Sequence, residues 1–241
     1  MPEAPHISAV VPAYNEAESL PGLIDELARV LVATGLSYEI VLVDDGSTDG
    51  SGEWIANAAR SRPHVRAVLL ERNSGQSAAL GAGLRHSRGH VLVTLDADGQ
   101  NDPADIPRLL DALRDADVAS GVRTRRADTW IRRVSSKIAN AVRRMALGDT
   151  ITDIGCSLKA YRREAVEGVP FFVGAHRFLP ALCQFRGARV VEISVQHRPR
   201  IKVVSKYGVG NRLFRGIRDL FGVRWLNARM PRDKVREVIG E

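Results

Sequence analysis

Two carboxylates and an amide close the segment Leu95-Asp96-Ala97-Asp98-Gly99-Gln100. Acids at i and i+2 of a chain leaving a strand can reach one hard divalent cation, and Gln100 offers a third oxygen. The segment is therefore a candidate seat for Mg²⁺ or Mn²⁺, with coordination left over for phosphate oxygens. The same residues also suit a solvated acidic turn that caps a helix starting near Asp105 and Ile106. A second acidic segment, Asp44-Asp45-Gly46-Ser47-Thr48-Asp49-Gly50, reads in two compatible ways. Exposed carboxylates there could bind ribose or base edges, while Ser47 or Thr48 caps a helix beginning near Gly52. Pro12-Ala13-Tyr14-Asn15-Glu16 is in itself an ordinary strand-to-helix connection, with Asn15 or Ser19 as cap.

The elements around these segments place them together. Ile7 to Ala13, Glu39 to Val43, Arg66 to Leu70 and His90 to Leu95 are short, β-branched apolar runs, the pattern of strands buried on both faces of a parallel sheet. Helical patterns alternate with them: Leu20, Leu23, Ile24, Leu27, Val30 and Leu31 form one apolar face, and Ala78 to Leu84 another. This alternation predicts an α/β domain, whose ligands bind beyond the carboxyl ends of the strands, where all three polar segments lie. Farther on, Trp130 to Leu147 and Val209 to Phe221 read as helices and Ala188 to Val195 as a strand. Gly81-Ala82-Gly83 falls inside a helical stretch and signals close packing. Neither a G-x-x-x-x-G-K-[ST] loop nor a G-x-G-x-x-G after the first strand occurs, which argues against P-loop and dinucleotide-binding folds.

A chain of 241 residues with 44% hydrophobic content can bury a full core. Its net charge of +7 favours an anionic partner. The charge is unevenly spread: Arg123 to Arg144 hold eight basic residues and one acid, and Arg198 to Arg236 twelve basic residues and two acids. Acids concentrate in the first half, so an acidic, metal-capable pocket is expected there and a basic surface from the second. Cys156 and Cys183 have no paired spacing, which suits a reducing cytosol. The N-terminus lacks a secretory pattern, and no apolar run reaches the ~20 residues of a spanning helix. Few aromatics and no nucleic-acid motif argue against a nucleic-acid-binding module, despite the charge.

Val11 to Glu16, Val43 to Asp49, Arg72-Asn73-Ser74-Gly75-Gln76 and Asp96 to Gln100, in this order, resemble glycosyltransferase family two, and within it the dolichol- and polyprenol-phosphate sugar transferases. The resemblance extends to about Tyr207. It implies a GT-A (nucleotide-diphospho-sugar transferase) fold, with a mostly parallel central sheet flanked by helices, at residues 1–207, followed by a basic amphipathic extension at 208–241. It also implies inverting transfer of a sugar, mannose favoured, from a nucleotide diphosphate to a polyprenyl or dolichyl phosphate. A family-two transferase acting on a non-lipid glycan is the alternative. By resemblance, Pro12, Tyr14, Glu16, Val43, Asp44 and Asp45 cradle the nucleotide, and Asp96, Asp98 and Gln100 hold the metal, with Ala97 close to the donor. Arg123 contacts both substrates, and Arg132, Ser136 and Asp153 serve the acceptor phosphate. Arg200 and Lys206 join Asp96 and Asp98 in stabilising the leaving diphosphate. The family glycine of the late Arg-x-x-Gly-x-Ser-Lys motif is Val203 here, so that loop departs from the family's backbone.

The implied partners are a nucleotide-diphospho-sugar, GDP-mannose favoured, the lipid phosphate and an anionic membrane surface. Leu213, Phe214, Ile217, Leu220 and Phe221 recur at helical spacing beside Arg212, Arg215 and Arg218, which suits either a helix packed on the domain or an interfacial one. A peripheral protein on the cytoplasmic face is expected, attached directly or through a separate membrane subunit.

Overall fold

The computed structural model describes residues 4–123, 143–145, 147–198 and 210–229, with side chains in the last stretch from Arg218 onward. Seven strands form one sheet: β1 (Ile7–Ala13), β2 (Tyr38–Asp44), β3 (Val65–Leu69), β4 (Val91–Thr94), β5 (Val118–Arg123), β6 (Lys159–Arg162) and β7 (Val190–Val195). Their order is β3-β2-β1-β4-β6-β5-β7. The pairs β3/β2, β2/β1, β1/β4 and β5/β7 are parallel, and β6 runs antiparallel to both of its neighbours. The expected α/β architecture is therefore present, and the first four strands lie within two residues of their sequence-based positions. No periodicity marks the four-residue β6, and it was not anticipated.

Helices cover both faces. α1 (Leu20–Ala33), α2 (Ser51–Ser61) and α4 (Ile106–Ala112) pack on one. Leu20, Leu23, Ile24, Leu27 and Leu31 of α1 are buried as expected, against Val11 and Leu42 of the sheet. Each such side chain contributes about 1.5–3 kcal/mol of burial. α3 (Gln76–His86), the four-residue α5 (Arg163–Val166), α6 (Ala175–Phe185) and α7 (Gly210–Arg229) lie on the opposite face. Here α3 meets the sheet closely. A Cβ on Gly83 would fall 2.8 Å from Val43 Cγ2 and closer still to Val10, so this glycine serves packing, as read from the sequence.

Two capping expectations are corrected. Gly50, at φ 90°, holds the N-cap of α2 with no side-chain cap. Ser47 and Thr48 instead bond Asn15, because a left-handed residue is needed where the chain turns into α2. Ser19 does hold the N-cap position of α1, but its hydroxyl donates back to the Glu16 carbonyl and carboxylate. Asp102 does cap a one-turn 3₁₀ helix at Pro103–Asp105, accepting from the Ala104 N–H. Most of the expected helix at Trp130 to Leu147 and the 207/208 boundary lie outside the described residues.

Candidate functional site

The carboxyl ends of β1, β2 and β4 converge, and their loops are stitched together. Asn15 adopts φ 55°, donates its N–H to Ser47 Oγ (2.9 Å) and accepts the Thr48 N–H (2.8 Å). Glu16 N–H donates to Ser51 Oγ at 2.9 Å. These bonds join the loops of Tyr14, Glu16, Asp44 and Asp45 into one ledge beyond Pro12 and Val43, with Val43 itself fully buried in the sheet. The two acids are buried, at 6% and 3% exposure, which corrects the expectation of exposed carboxylates. Asp44 accepts the Ser47 N–H and lies against Gly52, where a Cβ would come within 2.8 Å of its Oδ2. Asp45 accepts from Ser74 N–H (2.7 Å), Gly75 N–H (2.9 Å) and Asn73 Nδ2 (3.2 Å), fixing the start of α3. Burial, with a smaller push from Asp44, raises its carboxyl above the usual range despite these donors.

Asp96 leaves β4 at the floor of a cavity of about 470 Å³. Gln76 Nε2 donates to its Oδ1 at 2.7 Å, and its N–H donates to Asn101 Oδ1, which also accepts from Ser157 Oγ. Burial first, and then repulsion from Asp98, raise the Asp96 carboxyl to about 6. Asp98 accepts the Gln100 N–H at 3.1 Å, which bends the loop so that Asp96, Ala97, Asp98 and Gln100 stay together. Among the described residues no three acids, histidines or cysteines cluster as a metal cage. Two repelling carboxylates with a neighbouring amide nonetheless fit a Mg²⁺- or Mn²⁺-like ion, which takes much of its coordination from water and phosphates.

The other cavity walls come from segments that sequence reasoning left without a role. Ser157 and Lys159 lie at β6, and His176 and Arg177 on the first turn of α6. Arg177 Nε donates to His176 Nε2 at 3.4 Å, which leaves Nδ1 to donate to Ser77 Oγ at 2.7 Å. Burial, then the charges of Arg177 and Lys159, hold the imidazole down to about 3. The detectable signal was Lys159, a charge inside the apolar run Leu158 to Tyr161.

Arg123 and Asp153, both expected at the acceptor phosphate, face each other in a bidentate pair at 2.8 Å for each bond. Gly155 leaves room for the guanidinium, since a Cβ there would lie 2.7 Å from Arg123 Nη2. Arg198 clamps the far side. Its guanidinium meets Glu26 (2.7 and 2.8 Å) and Asp102 (2.7 Å), and its N–H donates to the Gln100 carbonyl. Arg132, Ser136, Arg200, Val203 and Lys206 lie outside the described residues.

The family model "Glycosyl transferase family 2" matches residues 8–169. Undecaprenyl-phosphate 4-deoxy-4-formamido-L-arabinose transferase of Edwardsiella ictaluri (strain 93-146) is 41% identical over 205 residues, spanning 84% of this chain and 63% of the relative. The chain thus spans less than two thirds of that relative's length. A mannosyltransferase from Pyrobaculum calidifontis solved with GDP-mannose and Mn²⁺ superposes with a TM-score of 0.63 at 20% identity, covering 94% of this chain and 65% of that one. Glucosyl-3-phosphoglycerate synthase from Mycobacterium tuberculosis, solved with Mn²⁺, UDP and glucosyl-3-phosphoglycerate, gives 0.68 at 20% identity over 94% and 81%. These structural likenesses bear on the fold, which is GT-A. With the model covering most of the domain and the four motifs meeting at one end of the sheet, the chain belongs to glycosyl transferase family 2.

Proposed function

We propose that the protein transfers a sugar from a nucleoside-diphosphate donor to a polyprenyl phosphate, with inversion at the anomeric carbon. The observation that carries this reading is the juxtaposition of Asp96 and Asp98 with a cavity walled by Lys159, His176 and Arg177. A carboxylate seat for a divalent cation borders a chamber that carries the cations of Lys159 and Arg177 beside the neutral His176, as suits transfer between two phosphate-bearing substrates. The 41% relative, named for an undecaprenyl-phosphate acceptor, supports the lipid phosphate.

The ledge of Pro12, Tyr14, Glu16, Val43, Asp44 and Asp45 receives the nucleotide, and its buried acids act by shaping the loops that bound it. A divalent cation held by Asp96 and Asp98, with Gln100 alongside, would stabilise charge developing on the leaving diphosphate. Ala97, 3% exposed between the two acids, keeps that loop close to the sugar. Arg200 and Lys206 add positive charge at the diphosphate, and Arg132 and Ser136 position the acceptor phosphate, the arginine by charge and the serine by its hydroxyl. Arg123, oriented by Asp153, presents one fixed cation. A lipid phosphate oxygen is already anionic near neutral pH, so no strong general base is needed.

No helix among the described residues is long and apolar enough to cross a membrane. α7 divides its apolar residues. Leu220, Val223 and Leu226 pack on the domain, while Phe221 and Trp225 stand 68% and 63% exposed beside the exposed Arg218, Arg224 and Arg229. Leu220 and Phe221, expected on one face, thus belong to two, because Leu220 turns toward α6 and the core. The exposed face, contributing about 1 kcal/mol per arginine at an anionic surface, supports peripheral attachment.

The test is a transfer assay with Mn²⁺ or Mg²⁺, a panel of UDP-sugars and GDP-mannose, and undecaprenyl phosphate, dolichyl phosphate, undecaprenol or a soluble glycan as acceptor. Metal-dependent product on the lipid phosphates alone is expected. Equal transfer to undecaprenol or to the glycan overturns the lipid-phosphate assignment.

A further inference from the structure

Lys159 lies in the middle of the sheet, cross-strand from Thr94 of β4 and from Ser120 of β5. Directly opposed residues share a face, here the one covered by α3 and α6. Lys159 is 2% exposed and lines the cavity beside Asp96. Among the described residues its ammonium makes no hydrogen bond or ion pair, and Asp96 and Asp153 act on it only through space. The ammonium opens onto the cavity inside a largely buried side chain, where few protein groups offset its charge, so an anionic ligand in the cavity would complete it.

Two features specify that ligand. Arg177 adds a second cation to the wall, with the neutral His176 beside it, so the chamber suits an anion. A second cavity, of about 310 Å³, shares Gln76, His176 and Arg177 with the first; Phe171, Phe172 and Val173 form one side of it, with Val173 83% exposed, and Arg218 and Asp219 stand at another. One molecule with an anionic head and an apolar chain satisfies both chambers. A donor diphosphate brings its own divalent cation to Asp96 and Asp98, whereas a lipid phosphate brings none and needs a cation from the protein.

We propose that Lys159 binds the acceptor's phosphate: its ammonium receives the head group of an isoprenoid phosphate whose chain leaves over Phe171, Phe172 and Val173. This rests on the reading of the protein as a polyprenyl-phosphate glycosyltransferase. Substitution of a buried, unpaired charge by an isosteric apolar residue leaves the fold intact or more stable, which separates a ligand-binding role from a structural one.

The experiment is calorimetric titration of the full chain with farnesyl phosphate, farnesol and UDP or GDP plus Mn²⁺, with thermal melts alongside. In Lys159→Met, affinity for farnesyl phosphate falls by about tenfold or more, as expected for loss of one charge-assisted contact. Farnesol and nucleotide binding and the melting temperature hold, and Lys159→Arg retains farnesyl phosphate. Lys159→Gln replaces the Met variant should that one not fold. Wild-type affinity for farnesyl phosphate in the uncharged variant overturns the proposal. So does an equal loss of nucleotide binding, which assigns Lys159 to the donor, or a lower melting temperature with both ligands lost, which makes it structural. If the wild type binds the nucleotide but neither farnesyl nor undecaprenyl phosphate, the lipid-phosphate reading itself fails, and Lys159's role with it.

Discussion

Glu39, buried, and Asp96, partly buried, are acids at opposite ends of one sheet, and their surroundings treat them in opposite ways. Glu39, 2% exposed at the amino end of β2, accepts from Ser8 Oγ (2.6 Å), Arg88 N–H (2.6 Å), Arg88 Nε (3.1 Å) and Arg66 Nη1 (3.4 Å). Burial pushes its carboxyl up, but Ser8 and Arg88 outweigh that and hold it below the ordinary value. Asp96, at the carboxyl end of β4, is pushed by burial and Asp98 up to about 6, against weaker help from Ser157, Lys159 and Gln76. At one end the fold has satisfied its acid. At the other it holds two acids in conflict, a conflict that a bound cation would resolve, as the proposed function requires.

The largest effect should come from breaking the unsatisfied end. Asp98→Asn should cut turnover by about a thousandfold or more, with Asp96→Asn somewhat milder, as expected when a charged ligand of a Lewis-acidic ion is lost. Steady-state rates over a range of Mn²⁺ concentrations check this, and a rate near wild type at saturating metal would reject it. At the satisfied end, Glu39→Gln should lower stability by about 2–3 kcal/mol in denaturant melts while turnover per folded molecule is kept. Because the native carboxyl of Glu39 lies below its ordinary value, this stabilisation is present above about pH 4.5 and is lost as pH falls through the native pKa. Wild type and Glu39→Gln should therefore converge in acid.

Asp96→Asn sharpens the contrast in the opposite direction. In metal-free protein it should raise stability by about 1–2 kcal/mol near pH 7, since it removes a partly buried carboxylate and its repulsion with Asp98. An unchanged or lower melting temperature would show that Asp96 is as well compensated as Glu39. The smallest effect concerns His176, neutral in the fold and protonated in the unfolded chain below about pH 6.5. Its contribution is full above that pH and is lost as pH falls toward 3, by up to about 1.4 kcal/mol per unit. Subtracting the stability curve of His176→Asn from that of wild type should reveal this slope between pH 6.5 and 5.

The elements of the first half of the sheet were legible in the sequence, and the side-chain bonds between its loops were not. Apolar runs such as Ile7 to Ala13, and the Leu20 to Leu31 stripe, declare their partners because burial on both faces of a sheet leaves little choice of residue. The position of Asp96, Asp98 and Gln100 beyond β4 was legible because an apolar run ending in acids marks the carboxyl end of a buried strand. Lys159 and His176 were not, because β6 is four residues long and α6 meets the sheet through contacts distant in sequence. Nor could residue type reveal that Asp45 spends its oxygens on Ser74 and Gly75, or that Arg123 and Asp153 meet each other, since these bonds span about thirty residues.

The most direct test of the central claim is the electron paramagnetic resonance signal of free Mn²⁺, titrated with protein in the presence of UDP or GDP, for wild type, Asp98→Asn and Glu39→Gln. The account predicts that wild type and folded Glu39→Gln quench the signal alike, and that Asp98→Asn requires about tenfold or more protein to do so. Equal quenching by Asp98→Asn, or a loss in Glu39→Gln matching that of Asp98→Asn, would contradict it.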